Sequence, residues 1–202
     1  MARQHLVTVW DPAFGTDVML VHLRVLLDAA EKCHNGEVTS HDPYVWWAKL
    51  HSPHRPEPLP HLAEVLQVAA AAEEGEADEE THLYLTDYRS LYVADVGEVT
   101  EDDPRKEDAE AAFVPSYYKE SGREADCWFR LWDIRRLVAD DTVTVVEALR
   151  KLRNTRYYGN PVSIYGGMLQ LPLIVTETEP EQYFTSRHRL TGAGTPREPV
   201  RR

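Results

Sequence analysis

The chain has 202 residues, 43% of them hydrophobic and 28% charged, which excludes wholesale disorder and allows a core without disulfide or metal staples. Its formal net charge of −12 opposes general electrostatic binding to nucleic acid. That charge is concentrated: six acids lie in Glu73–Glu80 and a net four negatives in Glu101–Glu110, so the remainder is nearly neutral. Both runs read as solvated loops.

Leu6-Val7-Thr8-Val9-Trp10 is a β-branched, apolar run that stops at Asp11-Pro12, a strand followed by a turn. From Asp17 to Lys32, Val18, Val21, Val25, Leu26 and Ala29 recur at helical spacing. Asp17 suits the N-cap, and His34-Asn35-Gly36 supplies a stop. Tyr44–Leu50 is a second strand, followed by an extended loop rich in proline at His51–Pro60. Leu59–Ala72 repeats Leu62, Val65, Leu66 and Ala69 on one helical face. Thr81–Thr86 and Leu91–Val99 flank the tight turn Asp87-Tyr88-Arg89-Ser90 and read as a hairpin.

Residues from Thr100 to Arg123 read as a polar, mobile excursion. Ala125–Ile134 is a strand with Trp128, Arg130 and Trp132 on one side and Phe129 and Leu131 on the other. Thr142–Arg153 is a helix, capped by Asp140-Asp141. Gly166-Gly167 bends the chain before a last strand, Met168–Val175, and a short helix at Glu179–Phe184. The expected fold is α+β: a small curved mixed sheet or partial barrel of five to six strands with about three packed helices. One domain is expected over residues 1–185, with acidic loop insertions near 73–80 and 101–123, and a disordered basic tail over 186–202.

Cys33 and Cys127 share no CxxC spacing and read as free thiols. No long apolar region follows Met1-Ala2-Arg3-Gln4-His5 and no stretch is long enough to span a bilayer, so a cytoplasmic setting without membrane contact is expected. GxSxG, P-loop, GxGxxG and HExxH patterns are all absent, so neither enzymatic activity nor a cofactor is expected. His51, His54 and His61 cluster around prolines at spacings that do not make ligands converge, and no metal is expected.

Aromatic residues are the main functional signal. Trp10, Trp46, Trp47, Trp128 and Trp132 all fall on or beside expected strands. Core packing is the ordinary fate of each, yet five indoles on one modest sheet are hard to bury together, because each N–H needs a partner. Trp47 shares a strand face with Lys49, and Trp10 ends its strand where a pocket-lining loop could begin. Tyr88 and Ser90 offer a phenol and a hydroxyl at a turn, though turn chemistry alone accounts for Asp and Ser there.

This order of segments resembles the EVE domains of the PUA-like group, which also includes YTH and ASCH domains. The resemblance rests on the opening strand Leu6–Trp10 with Asp11-Pro12, the strand Tyr92–Thr100 running through Gly97, the strand Trp128–Ile134, the helix Val145–Arg153, and Gly166-Gly167 before the last strand. It covers most of residues 5–184, and the Asp17–Lys32 helix and the segments between His51 and Glu80 are longer than its pattern. The resemblance implies recognition of a modified base in DNA or RNA, flipped into a pocket, stacked on an aromatic ring and read by its edge. It implies a lining of Trp10, Asp11, Trp47, Lys49, Tyr88 and Ser90, to which the strand pattern adds Trp132. It also implies a sensor in a restriction or defence system, with any effector step supplied by a partner protein. The alternative is a protein-interaction or regulatory module with no nucleic-acid ligand, suggested by the acidic runs.

Overall fold

The computed structural model describes residues 4–10, 17–38, 42–52, 59, 61–73, 80–162 and 172–177. In chain order these form β1 (His5–Val9), α1 (Val18–His34), β2 (Val45–Leu50), α2 (Leu62–Glu73), β3 (His82–Thr86), β4 (Leu91–Thr100), α3 (Ser116–Glu120), β5 (Ala125–Val138), α4 (Thr142–Arg150), β6 (Leu152–Asn154), β7 (Asn160–Pro161) and β8 (Leu173–Glu177). Single 3-10 turns lie at Pro104–Lys106, Ala111–Phe113 and Thr155–Tyr157.

Period-two alternation sorts the strand residues onto two faces. Leu6, Leu83, Leu85 and Ile174 enter one core, while Val7, Tyr84, Leu173 and Val175 enter a second on the opposite face. Strands buried on both sides belong in the middle of a sheet. β1 lies there, parallel to β3 and antiparallel to β8, in the order β2-β5-β4-β3-β1-β8-β6-β7. The fold is therefore α+β, on a mixed, unclosed sheet.

The sheet is strongly curved. β1 and β2 are four places apart in the strand order, which in a flat sheet is about 19 Å. Yet the rings of Trp10, at the end of β1, and Trp47, on β2, lie 6.4 Å apart. Three register irregularities between β4 and β5 accompany this bend, as bulges sharpen local twist. On the first-core face, Val18 and Met19 of α1 and Val65 and Val68 of α2 join Leu6, Leu83 and Phe129. Val145 and Leu149 of α4 cover the opposite face.

The helix termini follow the sequence. Asp17 accepts the Leu20 amide at 3.0 Å, and Asp141 accepts those of Val143 and Thr144 at 3.0 and 3.1 Å. Asn35 caps the end of α1, and Gly36 takes a left-handed φ of 69°. Cys127 is fully buried and unbridged, and burial pushes its thiol up to about 12.

Three expectations need correction. The described residues hold eight strands, not five or six, and the five-residue α3 joins the three helices expected. β6 takes residues whose apolar spacing continued the preceding helix, and pairing with β8 decides against that helix. β7 is two residues ending in Pro161, which strand propensity does not select. The last strand is described over Leu173–Glu177, and residues 168–171 of its expected start lie outside the described residues. Residues 74–79, the Glu179–Phe184 helix and the 186–202 tail lie outside the described residues.

The third correction concerns residues 101–123, which fold against the sheet instead of forming a solvated excursion. Pro104, Phe113, Val114 and Tyr118 are buried. Glu110 accepts hydrogen bonds from Tyr44 Oη at 2.9 Å and Trp46 Nε1 at 2.8 Å, fixing the segment to β2. Arg105 pairs with Asp103 at 2.8 Å, donates to the carbonyls of Tyr118 and Arg123 at 2.9 Å each, and lies 5.2 Å over the Trp128 ring. Two acids of this run, Asp103 and Glu110, are partners for aromatic and cationic groups packed on the sheet, a role that charge counting alone does not reveal.

Replacing Arg105 by alanine leaves two carbonyls and a carboxylate without their donor. The expected loss is about 2 kcal/mol in urea unfolding, whereas Asp102→Ala, at an exposed position of the same run, changes stability by less than about 0.5 kcal/mol.

Candidate functional site

The residues expected to line one pocket are only partly brought together. Trp10 follows β1, and its amide donates to the Thr86 carbonyl at 3.1 Å, placing it beside the Asp87–Ser90 turn. Trp10 keeps part of its surface exposed, while its ring meets Trp47 edge-on at 6.4 Å and Tyr92 edge-on at 5.8 Å. Tyr88 and Ser90 lie at the same end of the sheet. Tyr88, however, packs against the core of Val7 and Tyr84, on the face opposite Trp10. Asp11 lies outside the described residues.

Two further expected residues lie on β2 and β5. Lys49 pairs in register with Cys127, near the start of β5, two residues beyond Trp47 on the same strand face. Trp132 packs with Trp128 and Trp46 in a third cluster, away from Trp47 and Phe129. Its indole fills the space over Gly97, where an added Cβ would lie 2.6 Å from Cζ2. Gly97→Ala therefore overpacks this contact and costs about 2 kcal/mol, and Trp132→Leu added to it recovers part of that loss in a double-mutant denaturation cycle.

Trp47 is a core residue, only 3% exposed. The His22 ring lies 4.5 Å from it at a tilt of 35°. His22, on α1, donates from Nδ1 to the Val18 carbonyl at 2.8 Å. Tyr118 Oη accepts the Ala48 amide at 3.0 Å and stands 3.4 Å from His22 Nε2. Burial holds the His22 imidazole neutral down to about 4, against hydrogen bonds to the Val18 and Trp46 backbone that favour the cation. The face that the pattern offered to a ligand is thus occupied by a buried polar network.

The native pKa of His22 lies below its unfolded value of 6.5, so the unfolded chain binds the extra proton between pH 6.5 and about 4. Stability falls as pH drops through that window, and this residue contributes on the order of 3 kcal/mol to the fall. His22→Gln, which cannot titrate, is expected to lose correspondingly less between pH 7 and 4 in denaturant melts.

The turn itself is built by local bonds. Asp87 Oδ1 accepts the amides of Arg89 and Ser90 at 2.9 and 2.7 Å, and Thr86 Oγ1 accepts that of Tyr88 at 2.9 Å. Tyr88 adopts a left-handed φ of 68°. Ser90 Oγ accepts the Asp140 amide at 3.4 Å, and the Arg89 carbonyl accepts that of Asp141 at 2.8 Å, which anchors the entry to α4.

A second cluster escaped the sequence. The parallel register aligning Leu6 with Leu83 sets His5 beside His82, and the antiparallel register of His5 with Val175 brings Glu177 to the same face. His82 Nδ1 lies 2.7 Å from Glu177 Oε1, Tyr84 Oη donates to that oxygen at 2.5 Å, and His5 Nδ1 accepts the His82 amide at 3.1 Å. The two imidazoles stack at 4.7 Å with 20° between planes, and His82 Nε2 faces Glu80 Oε2 at 3.6 Å. The Glu177 side chain is 2% exposed. Burial opposes charge on both His82 and Glu177, but their pairing outweighs it, raising the imidazole and lowering the carboxyl. The signal that identifies this cluster is strand adjacency, which no local spacing encodes.

His51 and His61 have separate partners. His51 Nδ1 pairs with Asp126 at 2.7 Å, and His61 contacts Arg156 beside Glu64; His54 lies outside the described residues. No helix among the described residues is long and apolar enough to cross a membrane. No protein-family model, curated protein or solved structure matches the chain.

Proposed function

We propose that this chain is a non-enzymatic binding module for a base of DNA or RNA, a modified base above all, and that the base stacks at the Trp10 corner. The observation carrying this reading is a partly exposed tryptophan at the end of a central strand, propped edge-on by Trp47 and Tyr92. Edge-on neighbours hold an aromatic ring in place, and a base adds to it by stacking. Arg136 is exposed and pairs across the strands with Tyr92, which offers a cation for a phosphate. The binding surface is smaller than the sequence pattern suggested. Trp47 supports it from behind, Ser90 lies at the same end of the sheet, Tyr88 packs on the opposite face, and Trp132 belongs to a separate cluster.

The curved mixed sheet agrees with a PUA-like architecture, and the resemblance to EVE domains supports the same ligand class. On this reading the chain is the sensor of a restriction or defence system, and a separate protein supplies the effector step. The rival reading, a protein-interaction module, draws on the acidic runs, but Asp103 and Glu110 of the second run are engaged within the fold.

Fluorescence-anisotropy titration with oligonucleotides carrying modified and unmodified bases tests the proposal. Preference for one modified base is expected, with Trp10→Ala weakening it about tenfold or more, as loss of one stacked base implies. Equal or absent binding to every oligonucleotide removes the reading.

A further inference from the structure

We propose that His5, His82 and Glu177 form a binding site for one zinc-class divalent ion that ties β8 to the centre of the sheet. One ligand atom from each residue lies within 4.8 Å of the other two. Two imidazoles and a carboxylate are the donor set of nitrogen-preferring ions such as zinc or cobalt, and not of magnesium or calcium, which take oxygen. Three protein ligands leave a fourth position for water.

Two further observations point to an ion. Glu177 Oε2 is buried and has no hydrogen-bond partner, while its twin oxygen takes both Tyr84 and His82. A buried carboxylate oxygen left without a partner is costly, and coordination satisfies it. Moreover, His82 carries a carboxylate at each ring nitrogen, Glu177 at Nδ1 and Glu80 at Nε2. A ligating histidine ordinarily directs its second nitrogen to such a group, which fixes its orientation.

The ion replaces the His82–Glu177 hydrogen bond, and the ligand atoms move by about an ångström to the spacing set by metal–ligand bonds near 2.1 Å. Because the two imidazoles stack, one ring must turn out of the stack for both to face one ion. His5 Nδ1 stands 3.6 Å from Glu177 Oε1, and on ligation its one lone pair passes from the His82 amide to the ion.

The test uses tag-free, chelator-stripped full chain titrated with zinc chloride, and with cobalt chloride for its visible absorption. One equivalent is expected to bind. At a hundredfold excess over Kd the melting midpoint should rise by about 5 to 10 °C. Glu177→Gln should lower affinity at least about tenfold, whereas His51→Ala, at the solvent-side pair with Asp126, should not. Should Glu177→Gln fail to fold, 15N imidazole spectra of the wild type decide the matter, since zinc must shift the His5 and His82 rings together. Absence of binding, binding indifferent to Glu177→Gln, or shifts confined to other histidines overturns the proposal. It is independent of base binding, which is read at the other end of β1.

Discussion

Two hydrogen-bonded ladders meet on β1, one parallel to β3 and one antiparallel to β8, and the remaining placements follow from that meeting. A central strand must be apolar toward both faces and have its backbone groups paired on both edges. His5, Leu6, Val7 and Thr8 are each 4% exposed or less. With β1 fixed, β3 and β4 continue the sheet toward β5 and β2, while β8 continues it toward β6 and β7. The His5–His82–Glu177 cluster and the Trp10 corner sit at opposite ends of this one strand.

Polar groups bury themselves here by recruiting specific partners. Trp46 finds Glu110, Trp128 lies under Arg105, and His22 sits beside Trp47 with its Nδ1 bonded to a helix carbonyl. The partners of Trp46 and Trp128 come from segments distant in sequence, because a buried donor in a sheet has no local carbonyl to spare, whereas His22, on a helix, uses the carbonyl of Val18 four residues back. This also explains how Trp46 and Trp128 are buried on one sheet, while Trp10 and Trp132 stay partly exposed. Two acids that add to the net charge of the chain are spent inside the structure, so charge counted along the sequence overstates what the surface displays.

Much of the fold was legible locally. The α1 cap at Asp17, the α4 cap at Asp141, the β3–β4 hairpin and the two faces of β5 all follow from short-range rules and appear as read. Short-range rules fail where pairing decides. β6 looks like the end of a helix until β8 is beside it, and residues 101–123 look solvated until Arg105 is placed over Trp128. The candidate site suffered most. Alternation put Trp47 and Lys49 on one face correctly, but could not tell that this face curls inward over His22. It had no means of aligning His5 with Glu177, since their adjacency belongs to the sheet order and not to either strand.

The central position of β1 also has a cost in time. Its antiparallel neighbour is β8, so His5 pairs with Val175 only after nearly the whole described chain has been made. At ribosomal rates of roughly 5–20 residues per second, that delay is on the order of ten seconds or more. Until then one edge of a two-faced apolar strand is open, and pairings between distant segments close slowly even once both are present. An open edge of this kind is a template for strands of other chains. The nascent protein is therefore most in need of shelter at its first strand, the same strand that makes the finished sheet rigid.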